Sequence, residues 1–421
     1  MRSKLLLGLA LGFAGPLAAA GPLSWPQAVS EAAQANPDLL TAAESLRQAH
    51  LAVALAYPAF LPTLSANASL GQSGPYTGDG IPGTFGDPSN SSSAGLSANW
   101  SIFNGFRDVA ALGRAQAQLS SAVAGVQATR AKLAYDLRAA FIALLQAQEN
   151  LTQSQDIAKR RAGNADLVSL NYQSGSDNKG SLLQTQALAA QADYQAKRAE
   201  RTLRESAANL CRLLGREAAE DLRVEGILEA PPLPAVPELK ALQAGLPSVV
   251  QAEAAVESAR QDLSTAHAAW WPSLNASAGL NRSGSDWLSE KGSWNMGLSA
   301  SLPLFQGGQR VLNQLAADSR LTAARFGLAS ARELASVTLR NSWDGFEDAV
   351  QSSSVQSQFL AAADVRADVA RAQYTQGLIN FDTWDRIETD LINAQIQALS
   401  SRGDAQRAAA AWERDLGRSP W

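Results

Sequence analysis

Residues able to do chemistry are scarce in this 421-residue chain. It has one cysteine, Cys211, and two histidines, His50 and His267. A disulfide within the chain is impossible, and the histidines share no ligand spacing, so nothing points to a zinc cluster. Cys211 stands beside Leu210 and Leu213 on an amphipathic stretch and reads as a small packed side chain. Acidic groups such as Asp344, Glu347 and Asp348 read as helix-surface charge. No nucleophile elbow, phosphate loop or metal motif is present. No catalytic residue, metal or cofactor is therefore expected. The 35 Lys+Arg balance 39 Asp+Glu, giving net −4 and a pI near 5.4. Without a Lys/Arg block, nucleic acid is not expected as a partner. At 46% hydrophobic, the chain is too apolar for wholesale disorder.

With chemistry set aside, the elements carry the argument. Met1-Arg2-Ser3-Lys4 is a basic start, followed by an apolar run to about Leu17 and then Ala18-Ala19-Ala20. Residues 1–20 read as a secretory signal cut before Gly21, with no cysteine after the cut to carry a lipid. Beyond it, no uninterrupted apolar stretch approaches the ~20 residues of a spanning helix. An exported chain of that kind is either soluble or a β-barrel.

The chain is duplicated. Pro37 and Pro62 recur as Pro247 and Pro272, offset by 210 residues. Phe103, Gly105, Tyr172, Gly175 and Leu214-Gly215 recur as Phe305, Gly307, Tyr374, Gly377 and Leu416-Gly417, offset by 202. The difference falls in segments 72–93 and 282–293, rich in Gly, Ser, Asn and Pro, where one copy carries a longer loop. Residues 21–215 form the first repeat and 246–417 the second. Residues 216–245, with Pro231, Pro232, Pro234 and Pro237, read as a rigid connector. Each copy runs helix, strand, loop, strand, very long helix, turn, long helix. The first helix is expected over Trp25 to Ala56 and its copy over Pro247 to Ala269.

Four segments alternate with period two, at about 62–71, 94–103, 272–280 and 294–304. Leu64, Ala66, Ala68 and Leu70 alternate with Ser and Asn, as do Leu96, Ala98, Trp100 and Ile102. Leu274, Ala276, Ala278 and Leu280 do the same, and so do Trp294, Met296, Leu298, Ala300 and Leu302. Two features favour a membrane over a soluble sandwich. The polar faces are small and uncharged, which suits an enclosed wet lumen. Aromatic residues cluster at the strand ends, namely Tyr57, Phe60, Trp100, Phe103, Trp270, Trp271, Trp294 and Phe305, as in a membrane-interface girdle. Four strands cannot close in lipid, because two open edges would leave backbone groups unpaired in hydrocarbon. The sheet must pool strands from several chains: two copies give eight and three give twelve, and the pattern allows both.

From about Arg107 to Leu170 there is no proline, and Val109, Leu112, Leu119, Val123, Val126, Leu133, Leu137, Ala140 and Leu144 recur at three-four spacing. A sustained 3.5-residue period means coiled-coil packing. At ~1.5 Å per residue, roughly 64 residues extend ~95 Å, beyond any compact domain. A second such helix spans about Gln309 to Ala372. Turns at Tyr172-Gln173-Ser174-Gly175 and Tyr374-Thr375-Gln376-Gly377 end them, each glycine supplying a left-handed cap. Return helices follow over Ser181–Leu214 and Asp382–Leu416, which puts hairpin tips near 171–181 and 373–381. The fold class is mainly α: two tandem repeats giving two long α-hairpins hung beneath a small four-stranded membrane sheet.

This order of motifs resembles the TolC-like outer-membrane efflux proteins. The matching residues are Asn36-Pro37 at a helix start, Pro62 and Pro272 opening strands, and Phe103-Asn104-Gly105 and Phe305-Gln306-Gly307-Gly308 leaving them. The Tyr-x-x-Gly turns and the terminal Leu-Gly pairs match as well. The resemblance implies a homotrimer with a twelve-stranded barrel in the outer membrane and a helical barrel crossing the periplasm. It implies a passive exit duct for an inner-membrane transporter of RND, ABC or MFS type. A periplasmic adaptor would dock on the hairpin tips, around Tyr172, Gly175, Tyr374 and Gly377. It also implies a periplasmic entrance narrowed by the second hairpin, often with acidic side chains. Asp382 and Asp385 lie just past Gly377, and three-fold symmetry would make either a carboxylate ring favouring cations. Their spacing is one residue short of the expected pattern, which places Thr383 and Arg386 there instead. The plain alternative is a solvated helix face whose first acidic residue suits the helix dipole. Two other architectures compete. A periplasmic adaptor needs several β-rich domains flanking one hairpin, and an exported coiled-coil scaffold leaves the paired strands unexplained.

Overall fold

The computed structural model describes residues 22–74, 87–217, 221–236, 238–285 and 292–421. The expected signal segment 1–20 lies outside the described residues, as does most of each loop between paired strands. The first repeat contains α1 (Trp25–Ala35), α2 (Pro37–Ala56), β1 (Thr63–Ser73), β2 (Ser89–Asn104), α3 (Arg107–Gln173) and α4 (Lys179–Leu214). After a short α5 (Leu239–Leu242), the second contains α6 (Pro247–Ala268), β3 (Ser273–Gly284), β4 (Gly292–Ser301), α7 (Gln309–Thr375) and α8 (Phe381–Asp415). Helices α3 and α7 have 67 residues each, so each extends ~100 Å. The mainly helical, twice-repeated class with four strands and two long hairpins is the one expected.

The repeat extends to cap chemistry. Asn178 and Asn380 cap the return helices, each side chain accepting a bond from the backbone N–H three residues on. Gly215 and Gly417 end those helices with φ of 77° and 70°. A side chain at Gly215 would collide with the Ala35 carbonyl, and one at Gly417 with the Pro247 ring. Each repeat thus closes on its own first helices, Gly215 against the end of α1 and Gly417 against the start of α6.

One expected helix is two. The chain from Trp25 to Ala56 breaks at Asn36, whose backbone is extended (φ −69°, ψ 122°). Pro37 disfavours a helical Asn36, and the Asn36 side chain uses the break. Its Oδ1 accepts from the Asp38 and Leu39 N–H groups, while its Nδ2 donates to the Leu213 carbonyl at 2.7 Å. Buried Asn36 therefore pins α1, α2 and the end of α4 together.

Two strand limits also differ from the alternation pattern. β2 begins at Ser89, five residues early, because its Ser-Asn-Ser-Ser start is polar on both faces and shows no periodicity. β4 stops at Ser301 although alternation runs on to Leu304, since Pro303 has no N–H for a ladder. The segment expected as a plain rigid connector is stitched into the first repeat. Leu23 pairs with Val224, and Gln148 bonds both the N–H and the carbonyl of Val224 at 2.9 Å. Val224 and Leu228 are buried with Leu137, Phe141 and Leu210.

The helices form a single row. In the upper part α2 packs on α3, α3 on α6 and α6 on α7; in the lower part α4 packs on α3, α3 on α8 and α8 on α7. Both flanks of the row carry exposed apolar side chains, Leu51, Leu55, Leu183 and Tyr194 on one side and Phe326, Leu334 and Phe359 on α7.

Candidate functional site

The sheet is antiparallel throughout, in the order β1-β2-β3-β4. Its register turns four separate alternations into two continuous faces. Leu64, Ala98, Ala278 and Met296 form one row, and Ala66, Leu96, Leu280 and Trp294 the next. All eight are on the same face, since side chains alternate along a strand and paired residues share a side. The opposite face carries only Ser, Thr, Asn and Gly, as in the rows Ser65–Ser97–Gly279–Asn295 and Asn67–Gly95–Asn281–Ser293. The outer edges of β1 and β4 have no partner strand among the described residues. Met296 and Trp294 are about three-quarters exposed, so the apolar face is uncovered within one chain. Among the described residues no helix is long and apolar enough to cross a membrane.

The aromatic residues gather mostly at the helix end of this sheet. Trp100 donates its indole N–H to the Phe60 carbonyl at 3.0 Å, and Tyr57 and Phe60 occupy one 3₁₀ turn. Phe103, Phe106 and Trp271 meet edge to face, with centroids 5.1 to 6.5 Å apart. Phe106 has φ +67°, a costly backbone for a bulky residue that this cluster helps to hold. Trp270 donates to Gln314 at 3.1 Å and lies under the Arg310 guanidinium. Phe305 is exposed at the exit from β4, and Trp294 alone sits toward the loop end.

At the far end of the hairpins, Gly175 and Gly377 are left-handed at φ 77° and 75°. The tyrosines before them, matched in sequence, have different surroundings. Tyr172 is exposed; Tyr374 is buried and stacked on Trp384, with centroids 4.3 Å apart and planes 9° from parallel. The Tyr374 hydroxyl donates to Asp177 at 2.8 Å and accepts from Asn171 at 3.3 Å, tying the second hairpin to the tip of the first. Burial pushes its pKa up to about 12, opposed by the Asn171 bond and reinforced by the Asp177 carboxylate.

The two acidic candidates also part company. Asp382 is exposed in the first turn of α8 and makes no ion pair among the described residues. Asp385 pairs with Arg161 of α3 at 2.6 Å, with only 14% and 7% of the two side chains accessible. Arg161 also donates to the Thr389 hydroxyl at 2.9 Å. Nearby, Arg371 donates to Asn164 at 3.3 Å, and Arg160 lies 3.9 Å from buried Glu388. That same Glu388 oxygen, the Trp384 N–H and Asn164 Nδ2 are buried without a hydrogen-bond partner among the described residues. The hairpins thus meet along a polar seam inside an otherwise apolar contact of Val168, Ala367, Ile387 and Leu391. Sequence reasoning missed Arg161, Asn164, Asp177, Thr389 and Glu388. The available signal was a buried-register arginine on one helix and carboxylates at i, i+3 on the other. Cys211 is fully buried, while His50 and His267 are exposed and far apart in the chain.

A family model described as outer membrane efflux protein matches residues 28–216 and again 239–418. The chain belongs to that family. The double match coincides with the two repeats, and this outer membrane efflux protein shares its fold with solved channels. It superposes on CusC with a TM-score of 0.82 at 19% identity, over 93% of this chain and 91% of that one. VceC from Vibrio cholerae gives 0.79 at 19% identity, covering 94% and 96%. The open-state MtrE channel of Neisseria gonorrhoeae gives 0.80 at 22% identity, covering 93% and 88%. No curated protein sequence matches the chain.

Proposed function

We propose that this chain is the outer-membrane exit duct of a tripartite efflux pump or a type I secretion system. It acts as a homotrimer, each protomer giving four strands to a twelve-stranded barrel and two hairpins to a tube through the periplasm. The observation that carries this reading is the sheet itself: one face apolar across its central rows, with Arg282, Gln72, Asn90 and Ser92 only toward the loop end, the other face polar and uncharged, and both edges without a partner strand among the described residues. Such a sheet is stable in lipid only when closed, and copies of the chain supply the missing strands. The uncovered apolar flanks at α2, α4 and α7 fit the same closure, α7 of one protomer meeting α2 and α4 of the next. Trp100, Phe103, Trp270, Trp271, Trp294 and Phe305 then serve as interface anchors against outer-membrane lipid.

Energy for transport comes from an inner-membrane transporter of RND, ABC or MFS type, since the duct is passive. A periplasmic adaptor docks on the tips around Tyr172, Gly175, Tyr374 and Gly377. At that entrance Asp382 or Asp385 forms a carboxylate ring; Asp382 fits better, because Asp385 already has Arg161. The test is purification in mild detergent followed by planar-bilayer recording. A trimer with stable, cation-preferring conductance is expected. A monomer, or protein that stays soluble without detergent, refutes the duct. Unchanged cation preference in both Asp382→Ala and Asp385→Ala refutes the ring alone.

A further inference from the structure

If the polar face lines a lumen, its composition has a consequence for what can pass. Among the described strands the only ionisable residue is Arg282. Its pairing with Ala94 and Gly292 places it on the apolar face, at the loop-side rim. The polar face therefore holds hydroxyls, carboxamides and bare backbone, groups that both donate and accept and favour neither sign of charge. Ser277, near mid-strand, is five residues from Arg282, ~17 Å of strand, or about two Debye lengths at physiological salt.

An independent feature concerns the asparagines, the largest side chains on that face. Asn67 and Asn281 flank Gly95 from the two neighbouring strands, and Asn295 pairs with Gly279. A methyl group added at Gly95 would stand 3.0 Å from Asn281 Oδ1 and 3.3 Å from Asn67 Oδ1; at Gly279 it would stand 2.5 Å from Asn295 Oδ1. The carboxamides therefore lie sideways over bare glycine backbone, along the wall. These three carboxamides are thereby drawn over the sheet instead of reaching toward a passing solute.

We infer that the strand section of the duct is blind to charge: cationic, anionic and neutral polar cargo cross it alike, and no selection by sign occurs there. This rests on the lumen assignment proposed above and goes beyond it. A ring of like charges would instead favour one sign of ion.

The experiment uses the full-length protein in lipid vesicles with Ser277→Cys, a near-isosteric change. Cys211, the single native thiol, is fully buried, so the unaltered chain is the blank. The thiol is reacted with a trimethylammonium-bearing and a sulfonate-bearing methanethiosulfonate, and the ratio of rates is compared with that of a small free thiol. A ratio within about threefold of the free thiol is expected; a larger displacement toward either reagent means the wall carries a potential and overturns the inference. Asn99 pairs with Ser277, so adding Asn99→Asp must raise the preference for the cationic reagent. Met296→Cys, on the apolar face, must stay unreactive to both. If Ser277→Cys reacts with neither reagent while Met296→Cys does, the lumen assignment itself is wrong.

Discussion

Met296→Arg puts the facing of the sheet to a quantitative test. Met296 lies near the middle of an apolar band that runs from the Leu274–Ala300 pair to the Leu280–Trp294 pair. An arginine facing lipid at the midplane of a barrel costs ~2–4 kcal/mol. A trimer carries the change three times, so the assembled barrel loses ~6–12 kcal/mol, comparable with the whole stability of an ordinary domain at ~5–15 kcal/mol. Ser299→Arg adds the same side chain to the same strand three residues away, on the polar face, where water solvates it and the cost is near zero. The assay is the amount of heat-resistant trimer in the outer-membrane fraction, followed by its unfolding midpoint. Met296→Arg should fail to assemble or melt far lower, and Ser299→Arg should match the parent. Equal assembly of the two, or the reverse order, would refute the face assignment and with it the barrel.

Two further outcomes follow from the hairpin seam. Arg161→Met strands the mostly buried Asp385 carboxylate and should destabilise the contact of α3 with α8 by ~3 kcal/mol. Combined with Asp385→Asn in a double-mutant cycle followed by hydrogen exchange at the start of α8, it should give a coupling of ~1–3 kcal/mol; strictly additive effects would mean the pair does not hold the hairpins together. Tyr374 has its pKa raised to about 12 from the ordinary tyrosine value of ~10. Its neutral form therefore supports the fold fully below pH ~10, and this support fades as pH climbs toward that raised value. The phenolate absorbance difference between the parent and Tyr374→Phe should rise near pH 12; a rise near pH 10 would mean the hydroxyl is not buried as described.

Much of the architecture was written locally. Strand facing was legible because Leu64, Leu96, Leu280 and Met296 each sit in an alternation of period two, which needs no partner to be seen. Hairpin length was legible because nothing between Arg107 and Gln173 breaks a helix. The seam was not legible. Arg161 and Asp385 are 224 residues apart, and their meeting depends on how α8 is seated against α3. Asn36 gave a helix-start signal through Pro37, but its bond to Leu213 arises only when α4 returns to it. Tyr172 and Tyr374 look equivalent in the repeat, yet one is exposed and one stacked, because a duplicated sequence does not oblige its two copies to have the same neighbours.

By itself the sequence determined the duplication, the two-faced strands and the capped hairpins, since all three arise from dihedral preferences and periodicity within a few residues. Tertiary structure alone decided which rows align across the sheet, which carboxylate is neutralised and which asparagines lie over glycine. Those facts depend on contacts between segments far apart in the chain, whose energies exist only once the backbone is in place.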